Sequence, residues 1–179
     1  MDINSTDRNE TDEHLAGDAA IAKVRALLPS FSAAMFVTKG VGGADLHMRP
    51  LALAGDPSVF GGTLWFLTDG RSRKIREMEQ DPRVSLLFQN DRDGCYLQLD
   101  GTAAVVSDRA KIRELYTPIQ RAWFPGGVDD PYLTLVRFDA TNGSFWDDAG
   151  GVLRVLAAFT KSVVTGTPGK SARTGTMDI

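Results

Sequence analysis

The 179-residue chain has the size and composition of one ordinary globular domain, with 42% apolar and 24% charged residues. Its net charge of -3 excludes a broadly basic nucleic-acid-binding protein, and no apolar run approaches the roughly 18 residues of a membrane span. A lone cysteine, Cys95, excludes an internal disulfide, and two histidines are too few for a Cys/His zinc site. The acidic N-terminus lacks the apolar segment of a signal peptide. We therefore expect a cytoplasmic protein without a metal site that binds neither nucleic acid nor membrane.

The two ends of the chain differ in composition from its middle. Residues 1–18 contain six acidic residues against Arg8, whereas residues 165–179 are rich in glycine, threonine and serine. Both segments lack the apolar periodicity of a packed element. The sequence thus predicts a disordered acidic tail over 1–18, one structured domain over 19–164 and a flexible C-terminal tail over 165–179.

Hydrophobic periodicity and turn signals predict short strands with helices at the periphery. Helical spacing of apolar residues predicts helices that begin near Asp18, Ser72, Asp108 and Gly151. Strands are predicted over 31–38, 44–55, 63–68, 83–90, 95–107, 132–140 and 142–147. Two of the turns make hairpins, and repeated strand–helix–strand alternation is absent. We therefore predict a mainly β, α+β fold, in which six or seven antiparallel strands form a closed or nearly closed barrel.

The segment TDGRSRK (68–74) has the features of a phosphate-binding site. Thr68 ends a strand, a glycine turn follows, and Ser72, Arg73 and Lys74 begin a helix. Backbone N–H groups, the positive end of the helix dipole and two cationic side chains all favour an anion there. The alternative interpretation is a capped helix whose first turn happens to be basic.

A second candidate lies in the extended run HMRPLALAG (47–55). Arg49 would need an anionic or hydrogen-bonding partner if it faced a barrel interior. Pro50 lacks an N–H group and restricts this run to an edge, a strand start or a bulge, which leaves nearby backbone groups available to a planar heterocycle. Alternatively, Arg49 extends into solvent. His47 either lies near that ligand or is an ordinary strand residue.

Together, these segments resemble the pyridoxamine 5'-phosphate oxidase-related flavin-binding split barrels. The resemblance rests on HMRPLALAG, WFLTDGRSRKIREMEQDPRVSLLF and YLQLDGTAAVVSD. The later segment WFPGGVDDPYLTLVRFDATNGSFWD is similar to the general stress protein 26-like branch of that superfamily. The resemblance extends from about Ile21 to Val164 and implies a split β-barrel that forms a homodimer with two flavins at its interface.

The resemblance also implies a set of residues that bind FMN, or FAD if the adenylate end finds room outside the barrel. The strand that carries Arg49 would lie along the flavin, and the next strand end would meet the ribityl chain and phosphate. The basic helix start would hold the phosphate, and a late tryptophan would reach the flavin of the other subunit. In that order, the implied residues are Arg49, Pro50, Leu51 and Ala52; Leu67 and Thr68; Ser72, Arg73 and Lys74; and Trp146.

The segment after Trp146 departs from true pyridoxamine phosphate oxidases. Those enzymes hold their substrate with a basic, histidine-containing segment, whereas DDAGGVLRVLAAF contains Arg154 as its one basic residue and no histidine. Oxidation of the vitamin is therefore not expected, and no catalytic residue is assigned. Three functions stay open: a flavin-binding general stress protein, a flavin-dependent oxidoreductase that acts on a small acceptor with an unidentified redox partner, and a flavin-sensing interaction module.

Overall fold

The computed structural model describes residues 11–43, 45–147 and 173–179. Within these residues the chain forms eight strands, three α-helices and short 3-10 turns. In chain order the main elements are β1 (Thr11–Ala16), α1 (Asp18–Leu27), β2 (Ala34–Lys39), β3 (Leu46–Leu51), β4 (Thr63–Asp69), α2 (Arg73–Gln80), β5 (Arg83–Asn90), β6 (Cys95–Val106), α3 (Arg109–Leu115), β7 (Leu133–Asp147) and β8 (Arg173–Asp178). None of the three described helices has the length and hydropathy of a bilayer-spanning segment. The helix predicted from Gly151 lies outside the described residues.

Six of the strands form a split barrel. Antiparallel pairs run in the order β4, β7, β6, β5, β2 and β3. One isolated antiparallel bridge joins the two ends of this row of strands: the N–H of Ala54, just after β3, donates to the carbonyl of Trp65 on β4 at 2.8 Å. Among the described residues no strand pairs with the second edge of β3, so the barrel is split beside it. The mainly β split barrel with peripheral helices is thus confirmed.

Strand alternation determines which side chains fill the barrel. On β4, Leu64 and Phe66 are buried and their neighbours along the strand are more exposed, as expected for a strand with one face on a core. Phe66 meets Phe36 of β2 edge to face, with ring centroids 5.3 Å apart. Helix α2 adds Ile75 and Met78 to the same core. This contact fixes the start of α2 beside the end of β4.

The prediction of disordered tails over 1–18 and 165–179 is wrong for β1 and for β8, which are both strands. β1 and β8 pair in parallel, with Thr11 opposite Arg173, and β8 also pairs antiparallel with the second half of β7. Among the described residues the sheet therefore extends beyond the six antiparallel barrel strands by β8 and β1, and β1 with β8 is its one parallel pair. The physical reason is that the edge of β7 satisfies the backbone of β8 while Met177, 1% exposed, enters the main core. Residues 1–10 and 165–172 lie outside the described residues.

We expect Met177→Ala to lower the free energy of unfolding by about 2–4 kcal/mol, because truncation of a buried methionine leaves a cavity. Urea unfolding followed by circular dichroism measures this loss. Thr176→Ala, on the exposed face of the same strand, is the control and should change stability by less than about 0.5 kcal/mol. Equal stabilities of the two variants would contradict the packing of β8 against the core.

Candidate functional site

The two segments that the sequence analysis singled out face each other across the split of the barrel. Counting from the antiparallel bridge between Ala54 and Trp65 places Ala52 opposite Leu67 and Leu51 opposite Thr68. The backbones of these two segments are not hydrogen-bonded to each other, since β3 and β4 do not pair there. Backbone groups of the segment after Arg49 are thus accessible beside the end of β4, where a planar ligand could use them.

Helix α2 begins at this same end of β4. Ser72 precedes the helix, but its hydroxyl donates to the carbonyl of Asp69 at 2.6 Å and does not cap the helix. The first N–H groups of α2 therefore lack a side-chain cap. Uncapped N–H groups at the positive end of a helix favour an anion.

Lys74 lies buried at this helix start, with a relative exposure of 8%. Its ammonium donates to the hydroxyls of Thr68 and Ser72, both at 2.7 Å. Burial lowers the pKa of Lys74, and the nearby charge of Arg49 lowers it further. An ammonium has three donors, and the third has no acceptor among the described residues. We call Lys74, Thr68, Ser72 and the first turn of α2 the Lys74 site; a bound anion would complete it.

A second group of polar side chains surrounds Glu77, one turn further along α2. The carboxylate is 1% exposed and touches four side chains from β2, β3 and α2. We call these five residues the Glu77 cluster. Its contacts are Thr38 Oγ1 to Oε2 (2.6 Å), His47 Nδ1 to Oε1 (2.6 Å), Arg49 Nη2 to Oε2 (2.8 Å) and Arg73 Nε to Oε1 (3.0 Å).

The carboxyl group of Glu77 is held ionised by its neighbours. Burial alone would raise its pKa, but hydrogen bonds from Thr38, His47 and Arg49 outweigh burial and hold the pKa below its usual value. The charge of Arg49 acts in the same direction. At neutral pH the cluster therefore contains a buried carboxylate bound directly to two guanidinium groups.

Arg49 has the anionic partner that a partly buried arginine requires. Its side chain is 19% exposed and contacts Thr38 as well as Glu77, so the solvent-exposed alternative is wrong. Glu77 is not among the site residues predicted from the sequence. A signal was present, because Lys74, Ile75, Glu77 and Met78 share one helical face and Arg73 stands four residues before Glu77.

Trp146 lies far from these groups along the sheet. Thr68 is opposite Thr134 near the start of β7, whereas Trp146 follows twelve residues later, about 40 Å along the strand. There it is paired across the sheet with Tyr96, and the two side chains are 39% and 38% exposed. One chain therefore brings Arg49, Thr68, Ser72, Arg73 and Lys74 together but leaves Trp146 apart.

A groove of about 430 Å³ adjoins the split on its outer side. Leu53, Ala54 and Trp65 form one wall, and Lys111 and Leu115 of α3 form the other. It begins directly after Ala52.

The fold and these side chains together define a split-barrel protein with three cationic residues, Arg49, Arg73 and Lys74, grouped beside the split. The family model of pyridoxamine 5'-phosphate oxidase-like proteins matches residues 19–169, and the chain belongs to this family. The match covers all of the barrel strands described above.

Individual relatives agree with this assignment. Protein bli-3 of Neurospora crassa is 27% identical in an alignment of 159 positions that covers 84% of this chain and 76% of that protein. A crystal structure assigned to general stress protein 26 of Jannaschia sp. CCS1 has a TM-score of 0.72 at 25% identity and covers 88% of this chain and 96% of its own. The general stress FMN/FAD binding protein of Xanthomonas citri has a TM-score of 0.62 at 28% identity, with coverages of 76% and 94%. The resemblance inferred from the motifs is confirmed.

Proposed function

We propose that this chain is a flavin-binding general stress protein that holds FMN at the split of its barrel, with the phosphate at the Lys74 site. The observation that carries the proposal is the buried Lys74 ammonium, which has an unfilled donor beside an uncapped helix start. The name of the Xanthomonas citri neighbour, an FMN/FAD binding protein at 28% identity, supports a flavin as the ligand.

The residues at the split fit the parts of FMN. Lys74 and Arg73 suit the phosphate, since both are cationic and follow directly on the hydroxyl of Ser72. The open backbone at Leu51 and Ala52 suits the polar edge of the flavin ring, and Leu67 offers apolar contact opposite. A bound flavin supplies electron transfer in steps of one or two electrons, while the protein binds and orients it.

The proposal includes a homodimer. Trp146 is too far along β7 to reach the Lys74 site of its own chain, so in the proposed arrangement it serves the flavin of a second copy. The outer face of the sheet supports an interface, because Pro50, Met35 and Leu87 form one row across β3, β2 and β5. Leu87 is 38% exposed, and Met48, which lies two residues before Pro50 on the same face of β3, is 58% exposed. Exposed apolar side chains grouped on one face of a sheet are typical of a protein–protein interface.

Pyridoxamine phosphate oxidase activity is not part of the proposal. The segment that follows Trp146 offers Arg154 and no histidine to a phosphorylated vitamin. Flavin binding without oxidation of the vitamin fits this combination of residues.

A titration of the purified protein with FMN, riboflavin, FAD and pyridoxal 5'-phosphate tests the proposal. FMN has about 31 non-hydrogen atoms, and about 0.3 kcal/mol per atom corresponds to a dissociation constant near micromolar or below. We expect FMN to bind in this range, riboflavin at least about tenfold more weakly and pyridoxal 5'-phosphate not measurably. Absence of FMN binding would refute the proposal. Equal affinity for FMN and riboflavin would refute the phosphate assignment, and tighter binding of FAD would show that the adenylate end makes further contacts with the protein.

A further inference from the structure

We infer that Glu77 is a positioning residue for the flavin phosphate, which it serves by holding the guanidinium groups of Arg49 and Arg73 at the split. The inference rests on the proposed function for the identity of the ligand. Among the described residues Glu77 contacts the Lys74 site only at Arg73, the first residue of α2, and its effect is exerted through Arg73 and Arg49.

Both oxygens of the buried carboxylate are engaged. Oε2 accepts from Thr38 and Arg49, and Oε1 accepts from His47 and faces Arg73. Arg49 is held at two nitrogens, since Nη1 donates to Thr38 Oγ1 at 2.6 Å while Nη2 donates to Glu77. A guanidinium fixed at two points is oriented before any ligand arrives, which reduces the entropy that binding must overcome.

Arg73 is held differently. Its Nε lies against Glu77 Oε1, but 61% of the side chain is exposed and its terminal nitrogens have no acceptor among the described residues. Glu77 therefore restrains the stem of Arg73 and leaves the terminal N–H groups for an oxyanion. Arg73 follows Ser72 directly, so these groups belong to the same corner of the molecule as Lys74.

Glu77 also sets the charge that a ligand meets. Arg49, Arg73 and Lys74 carry three positive charges, and the one carboxylate leaves a net charge of about +2, which matches the charge of about -1.5 to -2 on a phosphate monoester. Stability alone is a weak explanation for such an arrangement, because desolvation of a buried ion pair offsets most of its attraction. Orientation and charge matching for an anion explain why a carboxylate is buried here among cations.

The test compares Glu77→Gln with Glu79→Gln. Glutamine keeps the size of the side chain, but its amide replaces one acceptor oxygen with an NH2 donor. Guanidinium groups only donate hydrogen bonds, so they cannot pair with that NH2 group. We expect E77Q to weaken FMN at least about tenfold and riboflavin less than about threefold. Glu79 is exposed on the same helix, so E79Q removes the same charge and should change either affinity less than twofold.

A second measurement does not need flavin. In the wild-type protein the Nη1 and Nη2 N–H groups of Arg49, which donate to Thr38 and Glu77, should give a slowly exchanging side-chain signal in nitrogen-15 NMR, assigned by its loss in Arg49→Lys. We expect E77Q to broaden or abolish this signal, and E79Q to preserve it. If E77Q does not fold, Thr38→Val replaces it, since valine removes the hydroxyl that joins Arg49 to Glu77 with little change in volume.

The outcomes separate the inference from the proposed function. If the wild-type protein binds no flavin, the proposed function fails and the Arg49 signal still decides whether Glu77 orients Arg49. Equal losses of FMN and riboflavin in E77Q, or in T38V if that variant is used, would reduce Glu77 to a structural residue and overturn the inference. Wild-type affinity together with an intact Arg49 signal would overturn it as well.

Discussion

Lys74→Met is expected to weaken FMN binding by about 10- to 100-fold while riboflavin affinity changes less than about threefold. Methionine preserves most of the buried stem and removes the ammonium. A charge-assisted hydrogen bond contributes about 1.5–3 kcal/mol, and each 1.4 kcal/mol is a factor of ten in affinity. Riboflavin lacks the phosphate, so the comparison assigns the loss to that group. Titrations monitored by flavin fluorescence measure both affinities.

The free energy of unfolding of Lys74→Met, measured without flavin, is a second test of this prediction. Burial lowers the pKa of Lys74, which means that the protonated side chain destabilises the fold at pH 7, and that this cost is relieved as the pH rises through the lowered pKa. Lys74→Met should therefore not reduce the free energy of unfolding at pH 7. Arg76→Ala, an exposed cation of the same helix, controls for net charge and should leave FMN affinity within about twofold. Parallel losses of FMN and riboflavin would contradict the assignment.

Gly101→Ala is expected to lower the free energy of unfolding by about 2–3 kcal/mol, the upper part of the range of about 1–3 kcal/mol for overpacking, because the neighbour is rigid. Gly101 stands where the register between β6 and β7 shifts, and a Cβ atom there would overlap the carbonyl oxygen of Asp139. Because that oxygen is backbone in a central strand, it cannot move without breaking the pairing. For a chain of this length we expect the melting temperature to fall by about 4–12 °C.

Gly61→Ala is the matched control for Gly101→Ala. A Cβ atom at Gly61 would meet no heavy atom within 4 Å, and its backbone is not in the left-handed region. Its melting temperature should equal or slightly exceed that of the wild-type protein, since alanine restricts the unfolded chain. A thermal scan by circular dichroism compares the two variants, and a wild-type melting temperature for Gly101→Ala would show that the bulge adapts.

The barrel strands were predictable because the patterns that specify them lie within short segments of the sequence. Alternation in segments such as β4 and the Asp-Gly turn between β5 and β6 specify each strand and its nearest partner without reference to distant residues. β8 contains one large apolar residue, Met177, in six, and its pairing depends on β7 and on β1 at the other end of the chain. Such pairing leaves no periodic pattern, which explains why these segments were predicted as tails.

The candidate site divides in the same way. Ser72, Arg73 and Lys74 are consecutive, so the phosphate-binding interpretation needed no tertiary structure. Glu77 becomes meaningful only when β2 and β3 are paired, because Thr38 is opposite His47 and Phe36 is opposite Arg49 in that register. The family resemblance supplied Trp146, which no local pattern connects with Lys74.

The parallel pairing of β1 with β8 also determines when the sheet can be completed. Thr11 and Arg173 are neighbours in space but are separated by 162 residues, so β1 must wait until β8 has been synthesised. At about 5–20 residues per second this wait lasts about 8–32 s. All six barrel strands have been synthesised by Asp147, well before β8, which inserts between β7 and β1. Closure of the six-stranded barrel and later addition of β8 and β1 to its sheet are thus separate events in the life of each new molecule.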